Sequence, residues 1–164
     1  MLSAQERQAL IAKIRILPSQ ISALVEKLTP EELMTESIKG EWTVAQNVHH
    51  LFDSHANSYI RCKLIATEDN PTLKPYDQDA WATFPDAQQA DVSGSLALLK
   101  HLHERWVQFW LNLPDDAWQR TGFHPENGPV TLESLLEVYA AHGEAHIDQI
   151  TRAITALHAK PEVS

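Results

Sequence analysis

Four stretches of the chain repeat apolar residues at the three- and four-residue spacing of an α-helix, and this pattern limits the fold more than any other feature. Residues 4–28 place Leu10, Ile14, Leu17, Ile21, Leu24 and Leu28 on one stripe, with Ser3 set to cap the helix and Glu6 three positions on. Pro18 interrupts that stripe and predicts a kink. "TPEEL" at 29–33 joins an N-cap Thr to Pro at the first helical position and two early Glu, which predicts a short helix. Thr43, with Gln46 three residues later, opens a second long helix running to about residue 68; a third spans 93–113 and a fourth 131–157. Between the second and third, "DNPTLKPYDQDAWATFPDAQQAD" at 69–91 holds three prolines and no sustained period. It reads as a long ordered loop with one short turn, and loops of that length often carry function. "GFHPENGPV" reads as a turn-rich connector, and no strand pair is expected. The prediction is an all-α single domain over residues 1–164: a four-helix bundle with a long loop between its second and third long helices.

Composition excludes several functions. A chain of 164 residues buries a core without staples, and its single Cys62 permits no internal disulfide and no Cys-rich zinc module. "MLSAQERQALIAKIRIL" is amphipathic and charged, unlike a secretory signal, and no apolar run approaches the roughly 20 residues that span a bilayer. A soluble cytoplasmic protein with no membrane partner is expected. The net charge of -9 and the scattered Lys and Arg argue against nucleic acid as a partner. Five glycines with no Gly-rich loop argue against a phosphate cradle. Nine histidines are the one compositional oddity.

"YAAHGEAHIDQI" on the fourth helix sets His142 and His146 four residues apart. On a wheel of about 100° per residue, Leu132, Leu135, Tyr139, His142, Ile150, Ala153 and Leu157 all fall within roughly 40° of His146. Both rings therefore point into the bundle. Each alone reads as a hydrogen-bonded core histidine, but burying two on one apolar face favours a shared partner, and a metal ion is the natural one. The spacing is not that of a zincin: Gly143 follows His142, and Glu144 lies about 160° from His146, toward solvent. A third ligand must come from "VHHLFDSH" on the second helix. There the apolar stripe of Val44, Val48, Leu51, Phe52, Tyr59 and Cys62 has His55 at its middle. His50 falls on the polar side with Asn47, Ser54, Asn57, Ser58 and Arg61. Periodicity selects His55, yet a polar face also suits a substrate cleft, so the choice stays open on these grounds.

"EWTVAQNVHHLFDSHANSYIRCKL", "KPYDQDAW", "SGSLALLKHLHERW" and "TLESLLEVYAAHGEAHI" together resemble the YfiT branch of the DinB-like superfamily, from about residue 30 onward. The resemblance implies a bacterial four-helix bundle with metal-dependent hydrolase activity; some relatives are S-transferases using bacillithiol or a similar low-molecular-weight thiol. It implies a metal held by His50, His142 and His146, against the wheel's preference for His55. It also implies a homodimer. Where relatives often carry further histidines between the two ligands of the last helix, this chain has Gly143, Glu144 and Ala145.

Three imidazoles leave a coordination position open, the arrangement of a catalytic site, and suit zinc or nickel. The open position can activate a water for hydrolysis or a thiol for transfer to a small-molecule substrate. A non-catalytic bundle binding metal or a small molecule is the competing expectation. Asp53, about 60° from His50 on the wheel, is the candidate to orient a ligand ring or a water, and Arg61 to clamp a substrate carboxylate. Tyr76, Asp77 and Trp81 are candidates to shape the pocket from the long loop, with His124 a weaker one. Trp106 and Trp110 are expected in the core, and His101, His103 and His158 at the surface or rim.

Overall fold

The computed structural model describes residues 1–159. In chain order the elements are α1 (Ala4–Val25), α2 (Pro30–Met34), α3 (Val44–Thr67), α4 (Gln78–Trp81), α5 (Ser93–Leu111), a 3₁₀ turn (Asp115–Ala117), β1 (Thr121–His124), β2 (Gly128–Thr131) and α6 (Leu132–His158). The four long predicted helices are all present and end within a few residues of their expected bounds. Local chemistry explains their starts. Ser3, Thr29, Thr43 and Thr131 each accept the amide of the residue three positions on, and each forms a reciprocal capping box.

The long helices form a square in which α1 packs on α5 and α6, and α3 packs on the same two. Successive long helices α1 and α3 thus lie on one diagonal, α5 and α6 on the other. Short turns would make sequential neighbours adjacent. Here the connector through α2, and the one holding the 3₁₀ turn and strands, are long enough to cross between opposite corners.

The connector before α6 departs from expectation. Thr121–His124 and Gly128–Thr131 pair as an antiparallel hairpin, turning at Gly128, whose φ of 75° suits glycine. Phe123 then pairs with the long loop: its amide donates to Pro71 O (2.9 Å) and its carbonyl accepts from Leu73 N (2.8 Å). Strands of four residues containing Pro129 show little period-two signal, and their pairing depends on a partner distant in sequence.

Two apolar clusters fill the bundle. One joins Ile11 and Ile14 of α1, Cys62 and Ile65 of α3, Trp106 and Trp110 of α5, and Leu132 and Leu136 of α6. The other joins Leu17 and Ile21, Val48 and Leu51, Leu99, and Ile150. Between them, at mid-height on α3, α5 and α6, lies a seam of buried polar side chains. Gly143 lets α6 approach α1 at this level: a Cβ there would lie 2.7 Å from a Leu17 methyl.

Outside the core, Glu133 in the first turn of α6 is buried and accepts from Arg7 Nε (3.1 Å), Arg7 Nη2 (2.8 Å) and Gln119 Nε2 (3.0 Å). The Arg7 guanidinium also stacks over Trp118 at 4.5 Å. Arg7→Ala is expected to lower unfolding free energy by about 2 kcal/mol, because the carboxylate loses two charged hydrogen bonds and keeps only Gln119 and the Met1 amino group at 3.9 Å. Urea denaturation of the variant checks this, and a change below about 1 kcal/mol would mark the pair as an ordinary surface contact.

No helix among the described residues is long and apolar enough to cross a membrane.

Candidate metal centre

His50 of α3 and His142 and His146 of α6 converge at the α3–α6 contact, in the polar seam. Each offers a ring nitrogen, and the three lie within 4.8 Å of one another. His142 Nε2 is 3.3 Å from His50 Nε2 and 3.2 Å from His146 Nε2. Two nitrogens each about 2.0–2.1 Å from one ion, at a tetrahedral angle, are about 3.3–3.4 Å apart, so these separations fit a shared cation.

The proton inventory points the same way. Asn47 Nδ2 donates to Thr43 O at 3.0 Å, which fixes the amide so that Oδ1 faces His146 Nδ1 at 2.8 Å. An amide oxygen only accepts, so His146 carries its proton on Nδ1 and presents a bare lone pair from Nε2 to its neighbours. Burial, and the charge His146 would carry, push His50 down to about 3. Burial, then His146 and His50, push His142 to about 3, and burial alone takes His146 to about 4. Three neutral imidazoles aimed at one point are the donor set of a divalent ion, and the residues present fit one.

The site opens on a cavity of ≈ 320 Å³, walled also by Trp42, Gln78, Asp79 and Gln149. Trp42 sits edge-on to His50, ring centroids 4.7 Å apart. A larger recess of ≈ 710 Å³ between α1 and α5 holds none of the three converging rings.

His55 is fully buried, as its wheel position predicts, but its Nε2 meets His142 Nδ1 at 3.1 Å rather than joining the cluster. His50 is buried too, despite its polar sector. The reason is that α3 packs on both α5 and α6, so its buried arc takes in Asn47, His50, Ser54 and Ser58 beside the apolar stripe. His103 corrects the surface expectation outright: it is 1 % exposed, with Nε2 2.7 Å from His55 Nδ1. His101 and His158 are exposed, paired with Glu104 and Glu32. His49 is an ordinary core histidine, bonded to Ser95 Oγ (2.8 Å) and Gln89 O (3.0 Å).

Asp53 and Arg61 lie off the cluster. Asp53 is half-buried, and burial followed by the nearby Asp86 raises its carboxyl above the usual range. Arg61 Nη2 donates to Lys74 O at 2.6 Å, and the guanidinium lies 5.9 Å from the Tyr76 ring. Asp77 caps α4 through Ala80 N (2.9 Å), and Trp81 packs against Tyr76 at 4.5 Å. The loop therefore does reach the site, through Gln78 and Asp79, with its expected members holding its shape. His124 is buried in β1, and Trp106 and Trp110 lie in the core, as expected for the two tryptophans. Cys62 is buried, which pushes its thiol up to about 12 and removes it as a nucleophile. Asn47, Trp42, Gln78, Asp79 and Gln149 were missed by periodicity, which reports burial and not which neighbour a polar group meets.

The DinB superfamily pattern matches residues 14–150. The chain is 42% identical over 151 residues to "Putative metal-dependent hydrolase YfiT" of Bacillus subtilis (strain 168), covering 92% of this chain and 85% of that protein. It is 43% identical over 141 residues to a "Putative metal-dependent hydrolase" of Bacillus cereus (strain 03BB102), covering 86% and 81%. The solved structure of Bacillus subtilis YfiT superposes with a TM-score of 0.93 at 40% identity, over 98% of this chain and 92% of that one. A mycothiol-dependent maleylpyruvate isomerase shares the fold alone, with a TM-score of 0.69 at 15% identity over 92% and 63% of the chains. Profile, sequence and backbone agree: this chain belongs to the DinB superfamily, in the YfiT-like branch.

Proposed function

We propose that this protein is a metal-dependent hydrolase in which His50, His142 and His146 hold one divalent ion, zinc or nickel, at the floor of the Trp42–Gln149 cavity. The observation that carries the reading is the meeting of three imidazoles, two buried and that of His142 half-buried, whose Nε2 atoms stand at ligand spacing. The names of the relatives, at 42% and 43% identity, support the reaction class.

A bound divalent ion would supply Lewis acidity and lower the pKa of whatever water or thiol enters its open position. The chain's own groups do the rest. Asn47 orients His146, and Trp42 shields one side of the rings from solvent. Gln78, Asp79 and Gln149 present amides and one carboxylate to a small-molecule substrate in the cavity. Arg61 acts by tying Lys74 to α3, which steadies the loop bearing Gln78 and Asp79. Asp53 serves the loop side of the cleft, beside Tyr76 and Asp86.

Metal analysis of purified protein is expected to find about one divalent ion per chain. Hydrolysis of activated esters or amides should vanish with chelator and return with the ion. Thiol transfer at the same open position is the finer alternative, and a low-molecular-weight thiol with monochlorobimane tests it in the same preparation. Metal-dependent bimane conjugation without hydrolysis would make it a transferase. Metal without either reaction favours a binding protein, and absence of metal sinks all three. Light scattering tests the homodimer expectation alongside.

A further inference from the structure

The polar seam contains more imidazole than a three-ligand site needs. Beyond His142, the rings of His55 (α3) and His103 (α5) continue in a line to the backbone of α1. His103 Nδ1 lies 2.6 Å from Ile14 O, His103 Nε2 lies 2.7 Å from His55 Nδ1, and His55 Nε2 lies 3.1 Å from His142 Nδ1. The path touches all four long helices.

Its protons can be assigned from one end. Pro18 sits inside α1 and has no amide hydrogen, so the carbonyl four residues earlier, Ile14 O, loses its helical donor. That carbonyl only accepts, so His103 must donate to it from Nδ1. A neutral His103 then has a lone pair on Nε2, which obliges His55 to donate from Nδ1. His55 in turn accepts at Nε2, which obliges His142 to donate from Nδ1. The last lone pair left over is on His142 Nε2, and it faces His50 and His146.

We propose that His55 and His103 are positioning residues: anchored on the Ile14 carbonyl that Pro18 leaves free, they hold His142 as its Nδ1-protonated tautomer and aim its Nε2 lone pair into the three-imidazole cluster. The rings of His55 and His103 are nearly coplanar, 11° between planes and 4.9 Å between centroids, as an in-plane N–H···N bond requires, and Trp106 packs across both, so neither ring can turn without displacing core. An outer hydrogen bond that sets the tautomer of a metal-bound histidine also raises its basicity. The metal aspect rests on the function proposed above; the tautomer does not.

The test has two arms. Long-range proton–nitrogen NMR on metal-free wild type should show His142 protonated at Nδ1, and protonation at Nε2 would overturn the proposal with no variant involved. In the second arm, zinc affinity is measured by chelator competition in wild type, His55→Leu and His55→Gln. Leucine fills the space but breaks the chain, and a roughly 10- to 100-fold loss is expected. Glutamine can accept from His142 through its oxygen and donate to His103 through its nitrogen, so affinity should recover to within a few fold of wild type. A folded His55→Leu that binds zinc as wild type does would overturn the proposal. Wild type that takes up no zinc, yet shows the Nδ1 tautomer, would support the relay and defeat the metal reading instead.

Discussion

His142→Ala and His146→Ala are each expected to strip the protein of its metal. Zinc sites with four protein ligands bind with about 10–16 kcal/mol, so one ligand is worth about 3–4 kcal/mol, or several hundredfold in affinity. A purified variant at micromolar concentration should then carry almost no ion, where wild type carries about one. Differential scanning of wild type should show a melting shift on adding zinc, since a ligand that binds only the folded state stabilises it, and that shift should disappear in both variants. His50→Ala should behave alike. His55→Ala should retain metal more weakly, because its ring faces His142 Nδ1 and not the ion position. Full occupancy in both α6 variants would eliminate the site, and metal kept in His50→Ala but lost in His55→Ala would reverse the assignment of the α3 ligand.

Acidification should unfold the metal-free protein well above the pH at which carboxylates alone would act. His50 and His142 are pushed to about 3 and His103 and His146 to about 4, all from an ordinary 6.5, with burial the first cause in each; His55 is held well below the same value. Because the folded values are the lower ones, the unfolded chain takes up protons first as pH falls below 6.5. Stability is thus complete above that pH and is lost downward from it. Each ring removes at most about 1.4 kcal/mol per pH unit in this window. Five rings together, at up to about 7 kcal/mol per unit, would exhaust the roughly 5–15 kcal/mol of an ordinary domain within about two units, by about pH 4.5. Circular dichroism against pH measures the midpoint. A midpoint below about 4, in the range of unperturbed carboxylates, would show that the rings are not held neutral by burial.

How much of this was legible beforehand depended on the distance over which the controlling interaction acts. The capping residues Ser3, Thr29 and Thr43 meet partners three residues away, so the helix starts could be read directly. Helical period places Glu144 toward solvent, where it pairs with Lys13 at the surface. One helix alone suffices to point the ring of His146 inward, and the ring is buried. The choice between His50 and His55 was not readable in that way. Periodicity measures a single buried arc, whereas α3 is covered on two sides, and both rings are inside. The family resemblance names His50, and it is the His50 ring that meets those of His142 and His146.

The burial of His103 and the pairing of the hairpin escape local pattern for a related reason. His103 is drawn inward by an acceptor that exists only because Pro18 lies four residues past Ile14 in a different helix. The strands at 121–131 pair with each other and with Pro71 and Leu73, and nothing local announces the second contact.

Taken alone, then, the order of amino acids determined where helices begin, which stripe of each is apolar and which two rings of α6 face inward, because backbone capping and helical period act within a turn or two. Only tertiary packing decided the diagonal order of the helices, the ring of α3 that meets them and the line of imidazoles behind it. Those outcomes depend on polar groups from four helices finding partners once water has been excluded, and in that seam an unpaired donor or acceptor costs more than any local preference can return.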